Sequence, residues 1–168
     1  MIGVILSLML LCQSGTAGVP EAEVWLLQNG TRLPVPFASV AEVNTRGLNN
    51  FIYTRGYTNL DMDVFFAGPE ATLRISDRKP VFIAQTDRGF EPILIRLETR
   101  RDRRICRTQP SSASIDNKQG FRRQDIVRTV LTVNSDKSFT VQPERPLPPG
   151  EYLLVTGSPH LGRDFGID

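Results

Sequence analysis

Apolar and polar positions alternate through residues 93–98, with Ile93, Ile95 and Leu97 on one side of an extended chain and Leu94, Arg96 and Glu98 on the other. That period of two predicts a strand with one side more buried than the other. Short apolar or alternating runs recur at 24–27, 51–53, 64–67, 71–75, 81–84, 104–107, 127–133, 138–141 and 152–156. Gly, Pro, Asn and Asp separate most of them, a rhythm that predicts an all-β chain folded as an antiparallel β-sandwich or barrel. Asn134-Ser135-Asp136-Lys137 lies between two β-rich runs, so residues 127–141 are expected to form a hairpin. Only residues 35–43 would accept a short helix, since Ser39 can cap one and Ala38 and Ala41 do not oppose it. No repeat, heptad or sustained amphipathic helix interrupts this pattern. The expected core is Trp25, Phe65, Leu73, Phe82, Ile95, Leu97, Val130, Tyr152 and Leu154.

The N-terminus follows a different rule. Residues 2–11 are largely apolar, and Gln13-Ser14-Gly15-Thr16 follows, with Gly15 and Ala17 three and one residues before a plausible cut. This layout predicts a cleavable secretory signal, a signal helix over residues 1–17, and a single mature β-sandwich domain over 18–168 in the periplasm or outside the cell. No Lys or Arg precedes the apolar run, and a short membrane-anchoring helix is the alternative. Leu11 precedes Cys12, where lipoprotein processing requires a small residue, so lipidation is not expected. Removal of the signal leaves Cys106 as the single thiol, unable to form an internal disulfide. Its expected role is that of a small buried residue in a strand, with a nucleophile as the weaker reading.

The formal net charge is only +2, but its placement is uneven. Between residues 96 and 128 stand Arg96, Arg100, Arg101, Arg103, Arg104, Arg107, Lys118, Arg122, Arg123 and Arg128, against Glu98, Asp102, Asp116 and Asp125. Residues 109–124 are polar and turn-rich, longer than most structureless connections in a compact domain. Phe121 beside Arg122 and Arg123 adds an aromatic ring to the cations, a combination that can dock an anionic or aromatic group. The candidate binding residues are therefore Arg100, Arg101, Arg103, Arg104, Arg107, Phe121, Arg122 and Arg123, although a solvated loop with Phe121 tucked onto a sheet edge explains the same residues. Arginine outnumbers lysine seventeen to three across the chain, which genome composition alone can produce.

Catalytic sets are thin. His160 is the single histidine, and a triad built on it would have to recruit Ser158 and Asp164 from a segment that reads first as a turn. Asp61 and Asp63 would share one face of a strand, as hard-cation ligands do, but alternation on a wet strand face gives the same spacing. No metal, cofactor or catalytic residue is assigned, and no enzyme activity is expected.

Near the C-terminus, Pro146-Leu147-Pro148-Pro149-Gly150-Glu151-Tyr152 combines fixed φ angles, a glycine able to close a turn and a tyrosine opening an apolar strand. Leu147 and Tyr152 are expected to plug one end of the core. The L-x-P-G-x-Y pattern resembles the corner before a late strand in fibronectin type III-like and transthyretin-like sandwiches, in which a tyrosine hydroxyl ties the turn down. Over residues 78–168, the Arg-rich hairpin at Arg103-Arg104, the 127–141 hairpin, the Pro-Pro-Gly-Glu-Tyr turn and the terminal Asp164-Phe165-Gly166-Ile167-Asp168 form a longer pattern. It is similar to the C-terminal part of uncharacterised secreted bacterial β-sandwich proteins, a resemblance that implies location and fold and carries no established activity. Two functions remain as expectations. One is a non-enzymatic adaptor that holds another envelope protein through sheet edges or the Arg-rich hairpin. The other is a receptor for an anionic ligand such as a polysaccharide, lipid head group or nucleic acid, with the arginines as forked donors.

Overall fold

Asn29 and Gly30 take φ values of 51° and 77°, positive at both central positions as a type I′ turn requires, and fold β1 (Val24–Gln28) back onto β2 (Thr31–Pro34). The computed structural model containing this hairpin describes residues 23–46, 61–86, 90–108, 120–157 and 159–168. The remaining strands are β3 (Val40–Arg46), β4 (Asp61–Ala67), β5 (Arg74–Ile75), β6 (Val81–Ala84), β7 (Ile93–Arg96), β8 (Glu98–Thr99) and β9 (Arg103–Arg107). They continue with β10 (Ile126–Val127), β11 (Thr129–Val133), β12 (Phe139–Pro143), β13 (Gly150–Val155) and β14 (Arg163–Ile167), with a 3-10 turn at Pro159–Leu161. No α-helix occurs among the described residues. The expected all-β, antiparallel character holds, and the β14–β5 pair alone is parallel among the described strand pairs.

The described strands form three sheets, ordered β11-β12-β6-β1-β2, β10-β7-β13-β14-β5 and β3-β4-β9-β8. Two cores result, and the alternation of β13 explains why. Tyr152 and Leu154 join Val24, Leu26, Phe82, Phe139, Val141, Leu147 and Phe165 in the core shared with the first sheet. Leu153 and Val155, pointing the other way, join Val64, Phe66, Leu97, Cys106 and Phe121 in the core shared with the third sheet. Both faces of the middle sheet are thus covered, which is why β13 reads as an unbroken apolar run from Tyr152 to Val155. Around the second core, backbone pairing closes on itself. It runs β3–β4–β9–β8, passes through Leu97 into β7, then to β13 and β14. It returns through the Phe37–Arg163 bridge and the Ala38 N–H, which donates to the Gly162 carbonyl at 3.0 Å.

Several expectations change in detail. Residues 35–43 hold no helix; β-branched Val40 and Val43 pair with β4 in an extended strand, and Phe37 bridges Arg163 before it. The 127–141 hairpin forms between β11 and β12 with Asn134 to Lys137 at its turn, but Ile126 and Val127 pair with β7 in a different sheet. The chain crosses between sheets at Arg128. Of the expected core, Phe82, Ile95, Leu97, Tyr152 and Leu154 are buried, while Trp25, Phe65 and Leu73 are half-buried. Val130 is 54% exposed, because Leu131 is the β11 residue that faces the first core and its neighbour must face away. The expected signal over 1–17, Cys12, the run at 51–53 and most of the 109–124 loop lie outside the described residues.

Candidate functional site

The Arg-rich hairpin folds as expected: β8 pairs with β9 across a turn in which the Arg100 N–H donates to the Arg103 carbonyl at 2.8 Å. Three of its arginines meet carboxylates, two of them sharing Glu98. Arg100 Nε lies 3.0 Å from Glu98, Arg107 Nη2 lies 2.9 Å from the other oxygen of Glu98, and Arg103 Nη2 lies 2.8 Å from Asp102. Arg103 also approaches Glu42 at 3.7 Å and spreads over the Phe65 ring. Arg122 holds Asp125 at 2.6 Å. Burial raises the Glu98 carboxyl, but the hydrogen bond from Arg100 and the charges of Arg107, Arg100 and Arg122 outweigh it and leave the pKa below its usual value. The hydrogen bond from Arg103 likewise lowers Asp102. Arg101 and Arg123 are exposed.

Two of the proposed binding residues are not at the surface. Phe121 is 1% exposed, inside the second core and bridged to Thr108, because its strand position turns the ring inward. Arg104 is 2% exposed for the same reason of phase, sharing an inward face of β9 with Cys106 and lying opposite Phe66. Its Nη2 sits 2.7 Å from Asp164 and donates to the Ala67 carbonyl at 3.2 Å, and its Nη1 lies 3.9 Å from Glu151. Glu151 in turn accepts from the Ala71 N–H at 2.7 Å and from Arg74 at 2.5 Å. Across β13, β14 and β5 the register sets Glu151, Gly166 and Arg74 in one row. The guanidinium crosses directly over Gly166, where a Cβ would lie 1.8 Å from Arg74 Nη1. This ionic cluster ties β5, β9, β13 and β14 together. The Arg104–Asp164 contact is close but lacks hydrogen-bond geometry, so burial raises the Asp164 carboxyl more than Arg104 lowers it. In-phase spacing of Arg104 with Cys106 was the signal available in the sequence, but it was hidden among neighbouring arginines.

Cys106 is buried in a strand as expected, and burial pushes its thiol up to about 12, which keeps it protonated near neutral pH. Asp63 is buried opposite Arg107 in the β4–β9 register, so it is not on a wet strand face. The Asp61 and His160 side chains and Ser158 lie outside the described residues, and Asp164 faces Arg104. Among the described residues no three His, Cys, Asp or Glu gather as metal ligands.

Among the described residues, the two most exposed large apolar side chains belong to the first sheet. β11 forms one edge, Thr-Val-Leu-Thr-Val without a charge, and Val130 and Val133 are 54% and 66% exposed. At the opposite edge β2 is exposed throughout but carries Arg32 and Pro34, residues that discourage strand addition. Among the described residues no helix is long and apolar enough to cross a membrane. No protein-family model matches the chain, and no curated protein or solved structure is significantly similar to it.

Proposed function

We propose that this chain is a non-enzymatic binding or adaptor module of the bacterial envelope, secreted or periplasmic, that holds another envelope protein by accepting one of its strands at β11. The observation that carries this reading is the uncharged, β-branched β11 edge, with Val130 and Val133 open to solvent. Proteins usually blunt such edges with charge or proline, since a row of unpaired backbone groups templates pairing with another chain. The pairing of Arg100, Arg103, Arg107 and Arg122 with carboxylates supports protein binding over an anionic polymer, which would have to displace Glu98, Asp102 and Asp125.

The same proposal takes the first two sheets as an immunoglobulin-like or transthyretin-like sandwich. The corner supports it: Tyr152 donates its hydroxyl to the Pro148 carbonyl at 2.6 Å, and Leu147 and Tyr152 are both buried in the first core.

Affinity capture from crosslinked native envelope tests the reading, with wild-type bait beside V130K/V133K and an L33K control on β2. A protein retained through high salt by wild type and L33K but lost by V130K/V133K is the expected result. Retention that is indifferent to the β11 substitutions, or only of polyanions and only at low salt, would overturn it.

A further inference from the structure

Between β10 and β11 the chain crosses from the second sheet to the first. A cavity of about 540 Å³ opens there, lined by Ile126, Val127 and Arg128, by Glu144 to Pro148, and by Arg96 and Tyr152. That volume lies within the range of about 300–1,000 Å³ usual for small-molecule sites. The lining has two chemistries. Ile126, Val127, Leu147 and the prolines at 146 and 148 supply an apolar wall, and Arg96, Arg128 and Arg145 bring three guanidinium groups.

These cations differ from the ion-paired arginines of the hairpin, Arg100, Arg103 and Arg107. None of the cavity's three forms an ion pair with a described residue, and the polar contact of Arg96 is a 3.5 Å approach to the Pro149 carbonyl. Two carboxylates share the lining, Asp125 and Glu144. Asp125 is already held by Arg122 at 2.6 Å, which leaves Glu144 against three arginines. The tyrosine at the base is fixed by its bond to Pro148, and burial raises its pKa against the lowering fields of Arg96 and Arg78. A concave apolar wall beside unneutralised forked donors matches an apolar body carrying a negative group. We propose that this cavity binds a small amphipathic organic anion, a ring-bearing or aliphatic body ending in a carboxylate, sulfonate or phosphate. The site is separate from the Arg-rich hairpin and from the β11 edge.

The test uses 8-anilinonaphthalene-1-sulfonate as the anionic probe and N-phenyl-1-naphthylamine as its uncharged counterpart, titrated by fluorescence into natively folded protein. Wild type is expected to show one saturable site that prefers the sulfonate. R96Q/R128Q/R145Q should weaken sulfonate binding about tenfold or more, the scale of losing charge-assisted hydrogen bonds. R100Q/R101Q/R103Q, which alters the hairpin, should leave it unchanged. R145Q alone, a substitution at an exposed position, should give a smaller loss of the same kind and keeps the test decisive if the triple variant does not fold. The proposal is overturned if wild type shows no saturable site, if the neutral probe binds as well, if the arginine substitutions at the cavity change nothing, or if the hairpin variant loses binding instead.

Discussion

Arg104 is the residue whose environment departs most from its composition. A guanidinium in a row of arginines reads as surface charge, yet the two-residue period of β9 sends it inward to Asp164 and Glu151. Removing it strands two buried carboxylates, of which Arg74 compensates one. Breaking a buried ion pair from one side costs about 3–5 kcal/mol, so R104A should lower the unfolding free energy by that order in urea denaturation. A loss no larger than that of a surface substitution such as R101A would show the cluster to be dispensable. Cys106 makes a prediction of opposite character. Its folded pKa lies above the unfolded value of 9.0, so the folded state keeps a proton that the unfolded state releases as pH rises from 9.0 towards about 12. Stability therefore falls through that window. C106V should lose less stability there than wild type, and the native thiol should resist aromatic disulfide reagents at pH 8 until denaturant is added. Parallel alkaline curves for both proteins would contradict the shift.

At the scale of elements, strands were legible where period two was clean and illegible where the chain changes sheets. The alternation of residues 93–98 predicted β7 and the inward side of Ile95 and Leu97. The run from Val127 to Val133 did not reveal that Arg128 divides it between two sheets, because both halves are β-branched. Residues 35–43 were ambiguous because their alanines fit a helix, and only pairing with β4 decides for a strand. Gln28-Asn29-Gly30-Thr31 carried a strong hairpin signal, an Asn-Gly pair between β-rich runs, that the run pattern alone passed over. The proline-rich turn was the most legible element, and it makes the prediction that belongs here. Y152F keeps the ring in the core and deletes the hydroxyl bond to Pro148, so unfolding should become easier by about 1 kcal/mol. An unchanged unfolding midpoint would mean that the corner is held by packing of Leu147 alone.

For the whole molecule, the all-β antiparallel class is legible in the sequence and the layering is not. A single β-sandwich domain is what the sequence leads one to expect, with no indication of how its core is divided. Among the described residues the middle sheet serves two cores, since Leu153 and Val155 face away from Tyr152 and Leu154. The same limit applied to the candidate site. A charge run records which side chains are cationic, whereas it does not show that Arg103, Arg100 and Arg122 turn to carboxylates one to three residues away, or that Arg107 reaches Glu98 across the hairpin. The β11 edge was equally hidden, because an apolar run looks the same at the edge of a sheet as at its centre. Its outward position makes strand addition the central claim of this account. Hydrogen exchange of the captured partner complex, read residue by residue, tests that claim most directly. Those backbone amides of Thr129–Val133 that do not already pair with β12 should become protected on binding, while the amides of Thr31, Arg32 and Leu33 keep their free rates. Protection confined to Arg103–Arg107 and the adjoining turn, with β11 unchanged, would contradict it.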